Sequence, residues 1–348
     1  MNKGKVSILE TNLLYLITAL LLVTIGAYVQ FVNIKTGLVI TQYILVLLPV
    51  IIFLKIKKES LRTFLRFNRL KFKHGLMTVG ITFLVYPVAV FFNSIMLTIL
   101  TYLGMEIRPL PIPMPNNFIE YAILFFIIAI SAGICEEVFF RGLLLRVYGE
   151  KYKLAGVAIT SLMFGIFHFN LQNLAGPIVL GLVFGYLVYI TDSIYAGIIG
   201  HIANNGLAVT LMYGLNVLRE GVSQYGSITP ENSMPNTYQL IAGTITLGVI
   251  AAVSGFFAYL LIKKIKEDIE LDSNNPRLDS DNLKDDLYSD DNTSYNNEEL
   301  SYRDLTIGDD YDSNLSSKQK IYKIVEFIPL LIVAAMYVVF SFYQFYRL

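Results

Sequence analysis

The chain has 348 residues, with 27 Lys and Arg set against 27 Asp and Glu, three histidines, one cysteine and no tryptophan. Apolar residues make up 55% and charged residues only 16%, against roughly 45–50% and roughly 25% in soluble domains. That balance excludes a disordered chain, a disulfide scaffold and a nucleic-acid binder with a broad basic face.

A hydrocarbon core requires about 20 apolar residues per helix, because backbone groups in lipid must be satisfied within the segment. Such runs lie near residues 12–32, 37–54, 75–103, 118–145, 154–169, 174–191, 193–213, 239–262 and 323–343. They predict an all-α, polytopic membrane helix bundle of about nine transmembrane helices. The first run lacks a small-residue cleavage signal and reads as a retained helix. Between the second and third, the loop 55–73 holds eight cations: Lys55, Lys57, Lys58, Arg62, Arg66, Arg69, Lys71 and Lys73. Lys and Arg concentrate on the cytoplasmic side, so this loop and the N-terminus should face inward. Nine crossings then place Lys151, Lys153, Lys263, Lys264 and Lys266 inside as well. The loop 105–117 is proline-rich and should be extended and external. Gly181 and Gly185 form a small-xxx-small pair suited to close helix contact.

The zero net charge is a cancellation between unlike parts. Residues 267–317 carry 16 acids and 3 bases, a net of −13, and the remainder carries 24 bases and 11 acids, a net of +13. The acidic stretch is too poor in apolar residues to offset its ordering entropy and is expected to be a disordered linker. No calcium-loop spacing occurs among its aspartates. The expected organisation is N-terminal helices with a basic loop (1–117), a core (118–213), a further transmembrane helix (214–266), the acidic linker (267–317) and a last transmembrane helix (318–348).

Ionisable groups inside membrane helices are costly, and so they carry information. The fourth span contains Glu136, Glu137 and Arg141. The four-residue spacing of Glu137 and Arg141 puts them on one face, able to pair, whereas Glu136 lies about 100° round the helix and is free to face elsewhere. The fifth span ends in Phe164-Gly-Ile-Phe-His168, and the seventh carries His201-Ile-Ala-Asn-Asn205. At ~1.5 Å per residue, Glu136 sits about 15 Å above Arg146, His168 about 22 Å above Lys153 and His201 about 13 Å above Asp192. Helix tilt can absorb those differences, so the groups can share one level. His74, which follows the basic loop, reads as interfacial.

Two chemistries suit these residues. A carboxylate beside an imidazole can deprotonate water, while a second imidazole with a side-chain amide can donate to an oxyanion. Alternatively, two His and one Glu are three ligands of a catalytic zinc site. Neither H-E-x-x-H nor G-x-S-x-G occurs, and Cys135, in an apolar helix, reads as packing.

Taken in order, Glu136-Glu137-Val-Phe-Phe-Arg141, Phe164…His168 and His201…Asn205 resemble the signature of the CPBP family of intramembrane proteases, also called the Abi or CAAX-protease family: E-E-x-x-x-R, F-x-x-x-H and H-x-x-x-N/D on successive helices. The resemblance covers about residues 118–213. It implies an endopeptidase that cuts membrane-associated or leader-peptide substrates. By similarity, Glu136 with His168 activates water, His201 with Asn205 holds the oxyanion, and Glu137, Arg141 and Phe164 give structural support. The cofactor stays open between none and a divalent metal such as zinc, held by Glu136, His168 and His201. Implied partners are a peptide or protein substrate and the lipid bilayer, with no nucleic acid. The expected location is multi-pass in the plasma membrane. The alternative is a non-catalytic immunity or regulatory scaffold of the same fold. The last helix lies outside the resemblance and is expected to be dispensable for hydrolysis.

Overall fold

The computed structural model describes residues 6–107, 113–223, 237–273 and 317–346. Part of the proline-rich loop (108–112) and most of the acidic stretch (274–316) lie outside the described residues. Among the described residues, besides a 3₁₀ turn at Leu171–Asn173, ten helices follow in chain order: α1 (Ile8–Val32), α2 (Ile34–Ile56), the single turn α3 (Leu61–Phe64), α4 (Phe72–Tyr102), α5 (Phe118–Tyr152), α6 (Leu154–Ile166), α7 (Ala175–Thr191), α8 (Ile194–Ser223), α9 (Thr237–Ser273) and α10 (Ser317–Tyr346). No strand occurs among the described residues. Among the described residues, eight helical stretches are long and apolar enough to cross a membrane, and α6 is a shorter apolar helix. The chain is an all-α, multi-pass membrane bundle.

The helix starts follow from local chemistry. Ser7 and Glu10 form a reciprocal capping box at α1, which satisfies amides that no preceding turn can bond. Asn33 and Asn117 accept from the first turns of α2 and α5 in the same way. At the other end, α9 outruns its apolar stretch. Lys263–Glu267 and Lys266–Glu270 pairs at i, i+4 continue the helix into water through Ser273. Residues 267–273, read from composition as the start of the linker, are therefore helical. Composition reports the polarity of a segment, but these pairs decide whether its backbone stays wound. Helix α8 also runs on past residue 213, where Asn216 donates to the Pro115 carbonyl.

Helix α5 is the axis of the bundle. Every residue from Val138 to Leu144 is buried, so this helix has neighbours all round. Tyr15 of α1 stacks on Phe139 and Phe167 and donates its hydroxyl to the Met163 carbonyl. Helices α4 and α9 pair extensively along the outside. Between α6 and α7 the approach is close: a Cβ added at Gly181 would lie 2.9 Å from that of Ser161, and one at Gly185 would lie 3.1 Å from Val157. The small-residue pair is thus the seam of an α6–α7 hairpin.

Ion pairs and hydrogen bonds gather one set of helix ends. Lys57 meets Glu10, Lys71 meets Asp272, Lys73 meets Asp268 and Lys151 meets Glu326. Asn68 donates to Asp192 at the end of α7. His74, at the start of α4, is buried and lies 3.6 Å from Asp268. These ends belong to the segments that the Lys and Arg distribution assigns to one side of the membrane.

The last helix is not an appendage. Asn12 of α1 donates to the Glu326 carbonyl, three residues before Pro329, and accepts from the Tyr148 hydroxyl of α5. Val333 and Tyr337 belong to the same buried cluster as Phe139, Phe140, Phe164 and Phe167. Phe169, the residue after His168, packs on Tyr337 and Phe340.

Candidate active site

Three elements bring the ionisable residues together. In α5 the helix widens to i→i+5 bonding over Phe125–Ser131 and again over Val138–Leu144. The single α-helical stretch between them, Ala132–Glu137, carries both glutamates. Such π turns accommodate an extra residue and redirect the side chains around them. One of them presents the Ile128 carbonyl to the Asn205 amide of α8 at 2.9 Å. Helix α6 has 13 residues, which makes it about 20 Å long, short of the ~30 Å apolar core. His168 therefore follows a helix that ends within the membrane thickness, at the tip of the hairpin. Helix α8 supplies His201 and Asn205.

Glu137 is fully buried, and its Oε1 accepts two hydrogen bonds, from Arg141 at 2.7 Å and from His201 Nδ1 at 2.9 Å. Arg141 is held in turn: its guanidinium lies over the Phe164 ring at 4.5 Å and reaches the Gly181 carbonyl at 3.4 Å. The pairing of Glu137 with Arg141 follows from their spacing. The bond to His201 does not, because it crosses 64 positions of sequence. A buried ion pair needs further hydrogen bonds to offset desolvation; the imidazole and the carbonyl supply part of them, while Glu137 Oε2 is buried without a hydrogen-bond partner among the described residues.

Glu136 faces elsewhere. Its Oε1 accepts from Gln42 Nε2 of α2 at 2.7 Å, and its Oε2 lies 3.9 Å from His201 Nε2. His201 thus stands between the two adjacent glutamates, donating to one through Nδ1 and directing Nε2 at the other. His168 is anchored similarly, with Nδ1 2.9 Å from the Phe164 carbonyl. A carbonyl only accepts, so Nδ1 carries the hydrogen, and in the neutral ring the lone pair is on Nε2. No hydrogen bond or ion pair joins His168 to Glu136. The two imidazoles share Phe164 instead, which meets His168 edge-on at 5.0 Å and His201 at 5.8 Å. Asn205 donates to Ile128 and accepts from Asn204.

His168 donates Nδ1–H to a carbonyl, an arrangement that in the neutral ring suits a metal ligand as well as a base, while His201 donates Nδ1–H to Glu137 and turns Nε2 toward Glu136. Among the described residues, however, no three His, Cys, Asp or Glu side chains gather as a ligand set. Glu136, His168 and His201 do not fit a metal as arranged. Cys135 is buried and packs against the core.

Two groups at this site were not singled out from the sequence. Gln42 is the only side-chain amide in α2, a signal of the same kind as the membrane histidines. Tyr43, beside it, donates to Ser131 of α5 at 3.2 Å, and nothing in its own spacing indicates that.

Comparison with known families finds that residues 118–207 match the Rce1-like model, described as type II CAAX prenyl endopeptidase Rce1-like. The matched segment runs from the start of α5 to just past Asn205 and contains all three motifs. It agrees with the CPBP and CAAX-protease resemblance. No curated protein and no solved structure matches the chain.

Proposed function

We propose that a bundle whose residues 118–207 match the CAAX prenyl endopeptidase model is an intramembrane endopeptidase, hydrolysing peptide bonds in membrane-associated or leader-peptide substrates. The observation that carries this reading is the pair of adjacent glutamates with separate partners. Glu137 is committed to Arg141 and His201, whereas Glu136 keeps one oxygen facing an imidazole across 3.9 Å. A gap of that size suits a bridging water rather than a direct bond.

In this mechanism Glu136, with His168 as the second base, takes a proton from water, and the hydroxide attacks the scissile carbonyl carbon. Negative charge develops on the carbonyl oxygen, where Asn205 donates and where His201, protonated at both nitrogens with Nδ1–H on Glu137, donates Nε2–H. Asn205 uses one amide hydrogen on Ile128 and has a second. As the tetrahedral intermediate collapses, the C–N bond breaks and the proton held by the base passes to the leaving amine. Glu137 supports this by fixing His201 through Nδ1, and Arg141 and Phe164 support Glu137 and the two rings. His168 is exposed at the hairpin tip, open to an incoming chain.

The reading places the chain in the plasma membrane with its N-terminus in the cytoplasm. The single native cysteine is buried, so labelling of a Ser289→Cys variant reports on the introduced thiol. It should resist an impermeant maleimide applied to intact cells and react after permeabilisation. The activity is tested by comparing membrane peptides released in cells expressing wild type and Glu136→Gln. Cleavage products should be lost with the variant, while the amount of folded protein stays the same. Identical peptide pools would return the chain to the reading of a non-catalytic scaffold.

A further inference from the structure

Gln42 lies within an apolar helix, yet it is only 8% exposed. Helix α2 widens to i→i+5 bonding over Thr41–Leu47, and this wide turn packs on the stretch of α5 that carries Glu136. There Gln42 Nε2 donates to Glu136 Oε1 at 2.7 Å. The amide orientation follows from the chemistry, since an ionised carboxylate offers only acceptors and must face the NH₂ end. Tyr43, the next residue, ties the same two helices together through Ser131.

Glu136 receives no hydrogen bond from its own helix among the described residues. Its neighbours Glu137 and Arg141 are occupied with each other. The terminal torsion of a glutamate is broad, so a carboxylate in this position has no intrinsic direction. Fixing Oε1 sets where Oε2 points, and Oε2 is the oxygen that faces His201. Gln42 Oε1, meanwhile, is buried with no hydrogen-bond partner, an unusual state for a polar atom inside a membrane helix.

We propose that Gln42 is a positioning residue that aims Glu136, its amide NH₂ fixing one carboxylate oxygen so that the other faces the reacting water. The proposal deepens the protease reading and rests on it for the role of Glu136. Gln42 lies outside the segment matched by the family model, residues 118–207.

The test uses the full-length protein in detergent and a panel of fluorogenic peptides covering C-terminal and leader-peptide sequences. Gln42→Met keeps length and apolar packing but removes both polar atoms. It should lower kcat by about 10–100-fold, the scale of a small misalignment of a reacting group, and leave KM and the fraction of folded protein unchanged. In the Glu136→Gln background the same substitution should have no further effect, because two groups that act as one unit are not additive. Unaltered kcat, a loss that only tracks the folded fraction, or a full multiplicative loss in the Glu136→Gln background would each overturn the proposal. Infrared difference spectra give a readout that does not need turnover. The carboxylate band that disappears in Glu136→Gln should shift in Gln42→Met. An unshifted band overturns the proposal whether or not any peptide is cut. A shifted band in a protein that cuts no peptide leaves Gln42 holding Glu136 and overturns the protease reading instead.

Discussion

Gly197, on α8 one turn before His201, gives the smallest perturbation that can test the buried network. An ideal Cβ at this position would lie 2.4 Å from Glu137 Oε2, 3.3 Å from Glu137 Cδ and 3.0 Å from Val188 Cγ2. To regain ordinary van der Waals separation, the carboxylate must retreat by about 1 Å. A carboxylate at the end of a free side chain would move at little cost. This one is fixed, because its other oxygen holds Arg141 at 2.7 Å and His201 Nδ1 at 2.9 Å. A retreat of that size stretches both bonds beyond hydrogen-bonding range. Hydrogen bonds to charged groups contribute about 1.5–3 kcal/mol, and overpacking costs about 1–3 kcal/mol. The gain of about 1 kcal/mol from replacing helical Gly with Ala offsets part of that. Gly197→Ala should therefore destabilise the protein by roughly 3 kcal/mol or more. It should also release His201 from its anchor, lowering cleavage by up to about 10²-fold through misalignment. Gly214, on the same helix, is the control, since a Cβ there meets nothing within 4 Å. Gly214→Ala should be neutral or slightly stabilising. Thermal unfolding in detergent, read beside peptide cleavage, separates the two. If Gly197→Ala matched Gly214→Ala in both stability and rate, the placement of Glu137 against α8 would be wrong.

The remaining predictions rest on the same geometry. Glu137→Gln and Arg141→Ala each leave a buried partner unpaired and should cost about 3–5 kcal/mol. The double variant should fall short of additivity, which a thermal-unfolding cycle measures. Because Glu137 also anchors His201, Glu137→Gln should lose activity beyond its loss of folded protein, whereas Glu136→Gln should lose ~10²–10⁴-fold in rate with little change in stability. Elemental analysis of purified active protein should find no stoichiometric zinc. One zinc per chain, lost in His168→Ala and in His201→Ala, would establish a metal site instead. Removing residues 274–348 should destabilise the bundle and change its rate, because α10 covers Phe169 beside His168 and bonds Asn12. A truncated protein with wild-type melting and cleavage would show that α10 is dispensable, as its position outside the motif segment suggests.

The sequence determined what depends on distances along one helix. Apolar run length fixed the spans, because lipid requires each backbone group to be satisfied locally. It also set the short reach of α6 and hence the depth of His168. The i, i+4 spacing of Glu137 and Arg141 fixed their pairing, since a single helix turn holds both. The small-residue pair Gly181 and Gly185 carried its own seam. The limit shows at α9, where polarity marked residue 267 as leaving the helix while Lys–Glu pairs kept it wound to Ser273.

Tertiary structure decided which imidazole meets which carboxylate. By resemblance His168 is the expected partner of Glu136; in the structure His201 stands between Glu136 and Glu137, and His168 is anchored to its own helix. Rotation and tilt of α8 against α5 set that arrangement, and neither is encoded in the periodicity of either helix. Gln42 reaches Glu136 from 94 positions away, through a wide turn in α2 that no apolar pattern announces. The place of α10 is likewise a matter of packing. Its apolar run states only that it can lie in a membrane, while the Glu326 carbonyl near Pro329 and the faces of Tyr337 and Phe340 decide that it lies against α1 and Phe169. Local chemistry fixes each helix and the residues on its faces; the relative rotation of the helices, set by the whole core at once, fixes which faces meet.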